Sequence, residues 1–377
     1  MVTFTVRPIS PAEHLDHVRS QRSVSFLQTP AWAGVKTEWR SESLGWYAGD
    51  RLVGTGLVLH RPVPRLGRTL AYLPWGPDID WAGGLTVWFP PLVSYLRSQG
   101  AFAIRIAPPV PTDTWTAAQV KDGIADPDVV RLTDLPGSIS SVGAEVTRYL
   151  REAGWIPQNP EHGFGAGQPQ FTYEIPLRHA DGTARSEDDV LRGMNQLWRR
   201  NIKKAVKAGV EVTTSAGGED LKAFHDLYVH TAERDRFTAR PLAYFEKMFA
   251  ALSAEEPGRI ALYLARHHGD LVAATIYVRV GAHAWYVYGA SSTDKRDVRG
   301  SNALQWAMIR DSLAAGCDVY DLRGITPTLA ADDPHVGLIQ FKVGTGGQAV
   351  RYVGEWDLLL RPVLYRAFDL YMRRRGR

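Results

Sequence analysis

A single cysteine among 377 residues, Cys317 in the apolar-flanked stretch AAGCDVY, leaves no internal disulfide to form. It reads as a small buried hydrophobe rather than a nucleophile, and a chain so poor in thiols suits a reducing cytoplasm. No apolar run approaches the length that spans a bilayer. The start, MVTFTVRPISPAEHLDHV, has no basic stretch leading into an apolar core, so neither a transmembrane anchor nor an export signal is expected. G-x-S-x-G, Walker and Cys-x-x-Cys patterns are missing, which sets aside serine-hydrolase, P-loop and dithiol chemistry. Asp332, Asp333 and His335 cluster in one loop without a second ligand pair at metal spacing. No metal and no cofactor is expected.

What is present is an ample supply of core residues: 45% apolar content with 12 tryptophans, enough for two domains at this length. The net charge is only +4, but the pI is about 9.1, and Lys/Arg gather at 199–207 and in the tail MRRRGR. That clustering suggests a polyanionic partner, whether nucleic acid, phosphate or anionic lipid; ordinary solvated surface is the plain alternative.

Two segments share one pattern. The first runs GWYAGDRLVGTGLVLHRPV, RTLAYLPWGPDID and LTVWFPPLVSYLRSQGAFAIRIAPP; the second runs ALYLARHHGDLVAATIYVRV, AWYVYGASS and SNALQWAMIRDSLAAGCDVYDLRG. Each offers a Gly-Asp turn between strands, a further strand, a helix, a glycine ending it, and a last strand. The turn glycine and the helix-ending glycine are 51 positions apart in the first segment (Gly49, Gly100) and 47 in the second (Gly269, Gly316), which suggests two copies of one α/β unit. The element order resembles that of the GNAT acyltransferases. In those proteins Q/R-x-x-G-x-G/A presents backbone amides and a helix N-terminus to the pyrophosphate of coenzyme A. Here the equivalent letters are Lys295 to Asn302, KRDVRGSN: arginine stands at 299 where glycine is expected, and Gly300 comes one residue late. The first copy has WGPDIDWAGG, with no basic residue. A different activated acyl donor is implied.

The segments SFLQTPAWAGVK, AYLPWGPDID, RRNIKKAVKAGVEV, TAERDRFTARPLAYF, YVYGASSTDKR, YDLRGI, GLIQFKVGTGG and YVGEWDLLLRPVLY, in this order across most of the chain, resemble the Fem family (FemABX) of non-ribosomal peptidyltransferases. About twenty residues separate the basic helix from TAERD, so the likeness is to members without a long helical arm. The resemblance implies an α/β fold of two GNAT-like units packed together, 1–155 plus 345–377 and 156–344, with the C-terminal segment returning to the first. It implies a cytoplasmic aminoacyltransferase, in peripheral contact with the inner membrane face, that moves an amino acid from aminoacyl-tRNA to an amine on the peptide stem of a lipid-linked or UDP-linked peptidoglycan precursor. Two rival readings stay open: the same chemistry on a small peptide antibiotic, and a non-catalytic module that binds precursor or RNA.

The resemblance also nominates residues. Lys342, with Phe341, matches a pair for which a role at the reaction centre is implied, the lysine stabilising charge on the ester carbonyl. Lys36, four positions after Trp32 in an expected helix, and Arg240 with Tyr244, expected on a helix opened by Pro241, would hold the acceptor's diphosphate; solvent-facing cations and a packed tyrosine are the alternatives. Tyr288 is the acceptor-side tyrosine, with Tyr286 as its competitor on the same strand face. Arg323 alternates with Asp321, which suits an internal ion pair as well as a substrate contact. Arg199, Arg200, Lys203, Lys204, Lys207, Lys295 and Arg296 are candidates for the tRNA backbone. Where relatives often carry an aspartate before proline, this chain has Ala107-Pro108, so no general base is expected there.

Overall fold

The computed structural model describes residues 3–63, 66–158 and 167–374, without the side chains of 371, 373 and 374. The glycine-rich stretch GFGA at 163–166, between the two repeats, and the end of the basic tail lie outside the described residues. The chain forms two compact units, Met1–Thr114 with Pro136–Phe171 and Val350–Arg377, and Trp115–Leu135 with Thr172–Ala349. The divisions differ from those expected because Trp115–Leu135 is tied to the second unit by main-chain bonds, Leu132 N–H to Pro327 O at 2.8 Å and Leu329 N–H to Val130 O at 2.7 Å.

The sheet of the first unit runs Phe4–Pro8, Arg40–Ala48, Arg51–Pro62, Thr69–Leu73, Ala101–Ile106, Trp356–Leu359, Ile156–Pro157. Thr69–Leu73 and Ala101–Ile106 are parallel, joined by the crossover helix Phe89–Ser98, while the hairpin before them is antiparallel. That helix starts on two prolines, whose missing N–H groups cost nothing in a first turn, and buries Phe89, Leu92 and Leu96. They pack with Leu44, Trp46, Leu73, Ile104, Val146 and Leu150, each large side chain contributing roughly 1.5–3 kcal/mol by leaving water. The C-terminal segment does return to this unit. Trp356–Leu359 pairs antiparallel with Ala101–Ile106, and Phe368 of the helix Pro362–Arg374 meets Phe102 with ring centroids 5.3 Å apart.

The second unit repeats the plan. Its strands follow the order Glu211–Ser215, Ile260–His267, Asp270–Val280, His283–Ser291, Val319–Gly324, Phe171–Pro176, and only His283–Ser291 with Val319–Gly324 is parallel, bridged by the helix Gly300–Ala314. The landmark glycines need their conformations: Gly49 and Gly269 take φ of 62° and 86° in hairpin turns, Gly100 and Gly316 take 84° and 69° just beyond helix ends. Between the basic helix Gln196–Lys207 and the helix Glu219–Asp235 stands only the strand Glu211–Ser215, so no helical arm is inserted there. Among the described residues, no helix is long and apolar enough to cross a membrane.

Candidate active site

The loop entering Gly300–Ala314 is held open by two non-glycine residues in left-handed conformation, Lys295 (φ 54°) and Arg299 (φ 64°), on either side of a 3-10 turn at Arg296–Val298. Gly300 is needed because a Cβ there would stand 2.7 Å from Val272 Cγ2. The result is a cleft of about 410 Å³ in the second unit, lined by the loop and helix start on one side and by Asn195, Leu197, Trp198, Asn201, Gln340 and Phe341 on the other. Trp198 fixes the second wall: its Nε1–H donates to Phe341 O at 2.8 Å, and the two rings lie 4.8 Å apart.

Lys342 follows on the helix Val336–Val343 but turns inward, only 4% exposed. Its Nζ donates to Gly324 O at 2.7 Å and Arg323 O at 3.3 Å. Those carbonyls are presented by an irregularity at the end of Val319–Gly324, where Arg323 has φ 64° and its own N–H is taken by Asp321 Oδ1 at 2.5 Å. The Asp321 carboxylate thus serves the main chain of the turn, with His283 Nε2 3.8 Å from its other oxygen. Burial pulls the Lys342 ammonium from 10.5 down to about 7, against the attraction of Asp321 and helped by repulsion from Arg323.

Arg240, Tyr244 and Tyr288 are brought together. The Arg240 guanidinium lies 4.7 Å from the centre of the Tyr244 ring and hydrogen-bonds Tyr288, whose hydroxyl donates to Tyr244 Oη at 3.3 Å. Arg240 precedes the helix Leu242–Glu255, of which Pro241 is the cap, so the two meet across a helix entrance rather than along one face. A bulge between Asp270–Val280 and His283–Ser291 separates the two tyrosine candidates: Tyr288 joins Tyr228, Tyr244 and Phe245, whereas Tyr286 turns its hydroxyl against Gly289.

In the first unit Lys36 and Trp32 part company. The helix is a single turn, Trp32–Val35; Trp32 is buried against Phe26 at 5.4 Å, and Lys36 sits at its C-terminal end, 3.6 Å from Glu38 and 5.9 Å from the centre of the Trp39 ring. Trp32 therefore packs the core and does not face a ligand beside Lys36. Around Ala107 the structure offers a carboxyl that sequence reasoning missed. Glu355 lines a small cavity with Ala107, Pro108, Trp75 and Tyr352, accepting from Tyr72 O–H at 2.5 Å and Gln168 N–H at 3.1 Å. Burial raises its pKa despite the nearby Arg105. Its only signal in sequence was its place in YVGEWD.

Of the basic residues, Arg200, Lys203, Lys204 and Lys207 point outward from Gln196–Lys207. Arg199 does not: its guanidinium donates to the Met194 and Arg192 carbonyls beyond and at the end of the helix Glu187–Gly193. Lys295 is bound to Asp270 at 2.5 Å, tying the loop to the hairpin turn, while Arg296 is exposed. Cys317 is buried, and His335 is engaged with Asp333 in a local turn.

The two units have GNAT-like topology, the second with a basic cleft at the start of Gly300–Ala314, and the relatives, transferases by name, place the chain in the transferase class. The FemAB family model matches residues 9–267 and 264–373, and the chain belongs to the FemAB family. It is similar to a lipid II:glycine glycyltransferase of Staphylococcus epidermidis, 24% identical over 426 aligned residues covering 95% of this chain and 93% of that one. A lipid II:glycine glycyltransferase of Staphylococcus aureus is 22% identical, with 96% and 94% covered. A crystal structure of FemX matches the fold with a TM-score of 0.77 at 21% identity, covering 96% of this chain and 99% of that one.

Proposed function

We propose that the protein transfers an amino acid from aminoacyl-tRNA to an amine on the peptide stem of a peptidoglycan precursor, lipid-linked or UDP-linked, at the cytoplasmic face of the membrane. The observation that carries this reading is the buried Lys342 directly behind Phe341, which lines the cleft. The relatives named lipid II:glycine glycyltransferases support a wall-precursor acceptor over a peptide antibiotic.

In this mechanism the acceptor's amine nitrogen attacks the ester carbonyl of the charged tRNA. The new C–N bond forms as the carbonyl π electrons move to oxygen; the carbonyl then re-forms as the C–O bond to the ribose breaks, the amine losing a proton and the ribose oxygen gaining one. The ester is already activated, so the protein's contribution is placement and stabilisation of the oxyanion. Two of the three N–H bonds of Lys342 are held by carbonyls, which orients the third. Arg240, with Tyr244 and Tyr288 beside it, offers its guanidinium to an acceptor phosphate, and Lys36 is a separate phosphate contact of the first unit. With alanine at 107, the proton passes to solvent, an acceptor phosphate or the tRNA ribose. Charged tRNAs carrying radiolabelled amino acids, presented with both precursor forms, test the proposal. Failure of every pairing to give labelled precursor would refute it, and transfer to one form alone would identify the acceptor.

A further inference from the structure

The helix Pro362–Arg374 turns an apolar stripe outward. Its inner side is accounted for, because Leu364, Tyr365 and Phe368 pack with Leu70 and Phe102 of the first unit's sheet. A helix lying on a soluble surface carries polar residues on its other side. Here the outward positions are Val363, Arg366, Ala367 and Leu370, spaced i, i+3, i+4 and i+7 on one face, with Val363 83% and Leu370 51% exposed. Leu66, 56% exposed, stands in the turn whose Val63 packs in the same cluster beneath the helix. Single exposed apolar side chains are ordinary, but three about one helix mark a surface that meets an apolar phase. Charge of one sign accompanies them. Arg361 and Arg366 are exposed, and between 361 and 377 the sequence adds Arg373, Arg374, Arg375 and Arg377 against Asp369 alone.

We propose that this face, Val363, Arg366, Ala367 and Leu370 with Leu66 beside it, docks the chain on a bilayer containing anionic lipid. An amphipathic helix of this kind lies in the headgroup boundary with its apolar side chains in the acyl region, and its arginines reach lipid phosphates while their stems stay among the chains. Nucleic acid would account for the arginines but not for the valine and leucines between them. The helix is also joined to the candidate phosphate contact of this unit. The Arg61 guanidinium lies 5.7 Å from the centre of the Phe368 ring and 5.4 Å from that of Trp39, and Lys36 Nζ lies 5.9 Å from the same Trp39 ring. Half-buried Trp39 suits a headgroup layer. A docked bilayer therefore brings its headgroups toward Lys36, where a lipid-linked diphosphate has to emerge. That last step rests on the proposed reading of the acceptor, whereas the docking face does not.

The test is co-sedimentation of the full chain with vesicles of phosphatidylglycerol and phosphatidylcholine in equal parts, and with phosphatidylcholine alone. The proteins compared are wild type, Val363→Glu, Leu370→Glu, Arg366→Gln and, as a control, Val206→Glu, which alters an exposed valine of the second unit. Wild type should bind the mixed vesicles more tightly than the neutral ones, and added salt should weaken it. Val363→Glu and Leu370→Glu should each reduce partitioning about tenfold and Arg366→Gln about fivefold, while Val206→Glu matches wild type. All four side chains are exposed, so Tm should stay at the wild-type value and a lost affinity is not a lost fold. A wild-type chain that ignores both kinds of vesicle, or glutamate variants that bind as it does, would overturn the proposal. So would a dimer in sedimentation velocity that Val363→Glu dissociates, which makes a second copy the occupant, or binding of a labelled RNA that the two glutamate variants at 363 and 370 abolish. No step of the assay requires transfer, so its failure leaves the proposed activity intact, and a chain that docks yet transfers nothing would refute that activity alone.

Discussion

Replacing Lys342 with methionine removes a buried cation and two hydrogen bonds, and the two losses have opposite signs. A fall from 10.5 to about 7 means the fold disfavours the ammonium over the amine by roughly 5 kcal/mol. Because the folded value lies below the unfolded one, the unfolded chain holds more protons between about pH 7 and 10.5, and stability contributed by this group rises with pH across that window. At pH 6 the penalty is borne in full. Against it stand the bonds to the Arg323 and Gly324 carbonyls, worth roughly 1 kcal/mol each and more if the carbonyls are left bare. Lys342→Met should therefore compare best with wild type at pH 6 and progressively worse toward pH 9, measured as the difference in Tm. If the ammonium stabilises the oxyanion, single-turnover transfer should fall about 10²–10³-fold at pH 6 with acceptor affinity unchanged. The ratio of wild-type to variant rate cancels the titration of the acceptor amine, and it should shrink as pH rises through about 7. A variant that retains a near-normal single-turnover rate would sink the catalytic role and leave Lys342 as the clamp on the Arg323 turn. A loss of rate that follows only a loss of acceptor affinity would move the lysine to the diphosphate.

Three further outcomes are expected. Glu355, held above its ordinary range by burial, contributes stability that is full below about pH 4.5 and is lost as pH rises through its folded value, so Glu355→Gln should gain Tm relative to wild type between pH 4 and 7; a difference independent of pH would contradict this. Lys36→Met and Arg240→Met should each raise acceptor KM by an amount corresponding to roughly 1–3 kcal/mol while tRNA affinity stays put, and an unchanged KM in both would return them to the role of surface cations. Acetyl-CoA should neither bind nor support transfer, because Arg299 stands where the pyrophosphate loop needs glycine; calorimetric binding with acetylated product would overturn that expectation.

Much of the fold was legible because its landmarks are local. The four glycines that set the repeat all have positive φ, a demand a sequence expresses directly, and the prolines opening Phe89–Ser98 mark that helix start just as plainly. What escaped depends on long-range bonds. Nothing within Trp115–Leu135 announces that Leu132 and Val130 will exchange main-chain bonds with Pro327 and Leu329, and so the domain edges fell in other places. Trp32 and Lys36 share a face only if the helix runs through both; it ends at Val35 after one turn, so the tryptophan goes to the core and the lysine to the helix end.

The same division runs through the site. Residue types that a resemblance can carry, such as Arg240, Tyr244 and Tyr288, came together in one cluster, although across a helix entrance instead of along a helix. Burial could not be read in advance. Lys342 and Arg199 are both basic residues that follow an aromatic in the sequence, yet one is drawn to carbonyls at a strand end and the other to carbonyls at a helix end. For each the question is which groups its tertiary neighbours leave unsatisfied. Arg299 shows the converse. Its departure from the glycine pattern was visible in sequence as a reason to exclude coenzyme A, but its left-handed backbone and unpartnered Nε appear only in the fold. A motif broken at one letter signals a changed ligand; the chemistry of the replacement lies in the donors that the surrounding structure leaves without a partner.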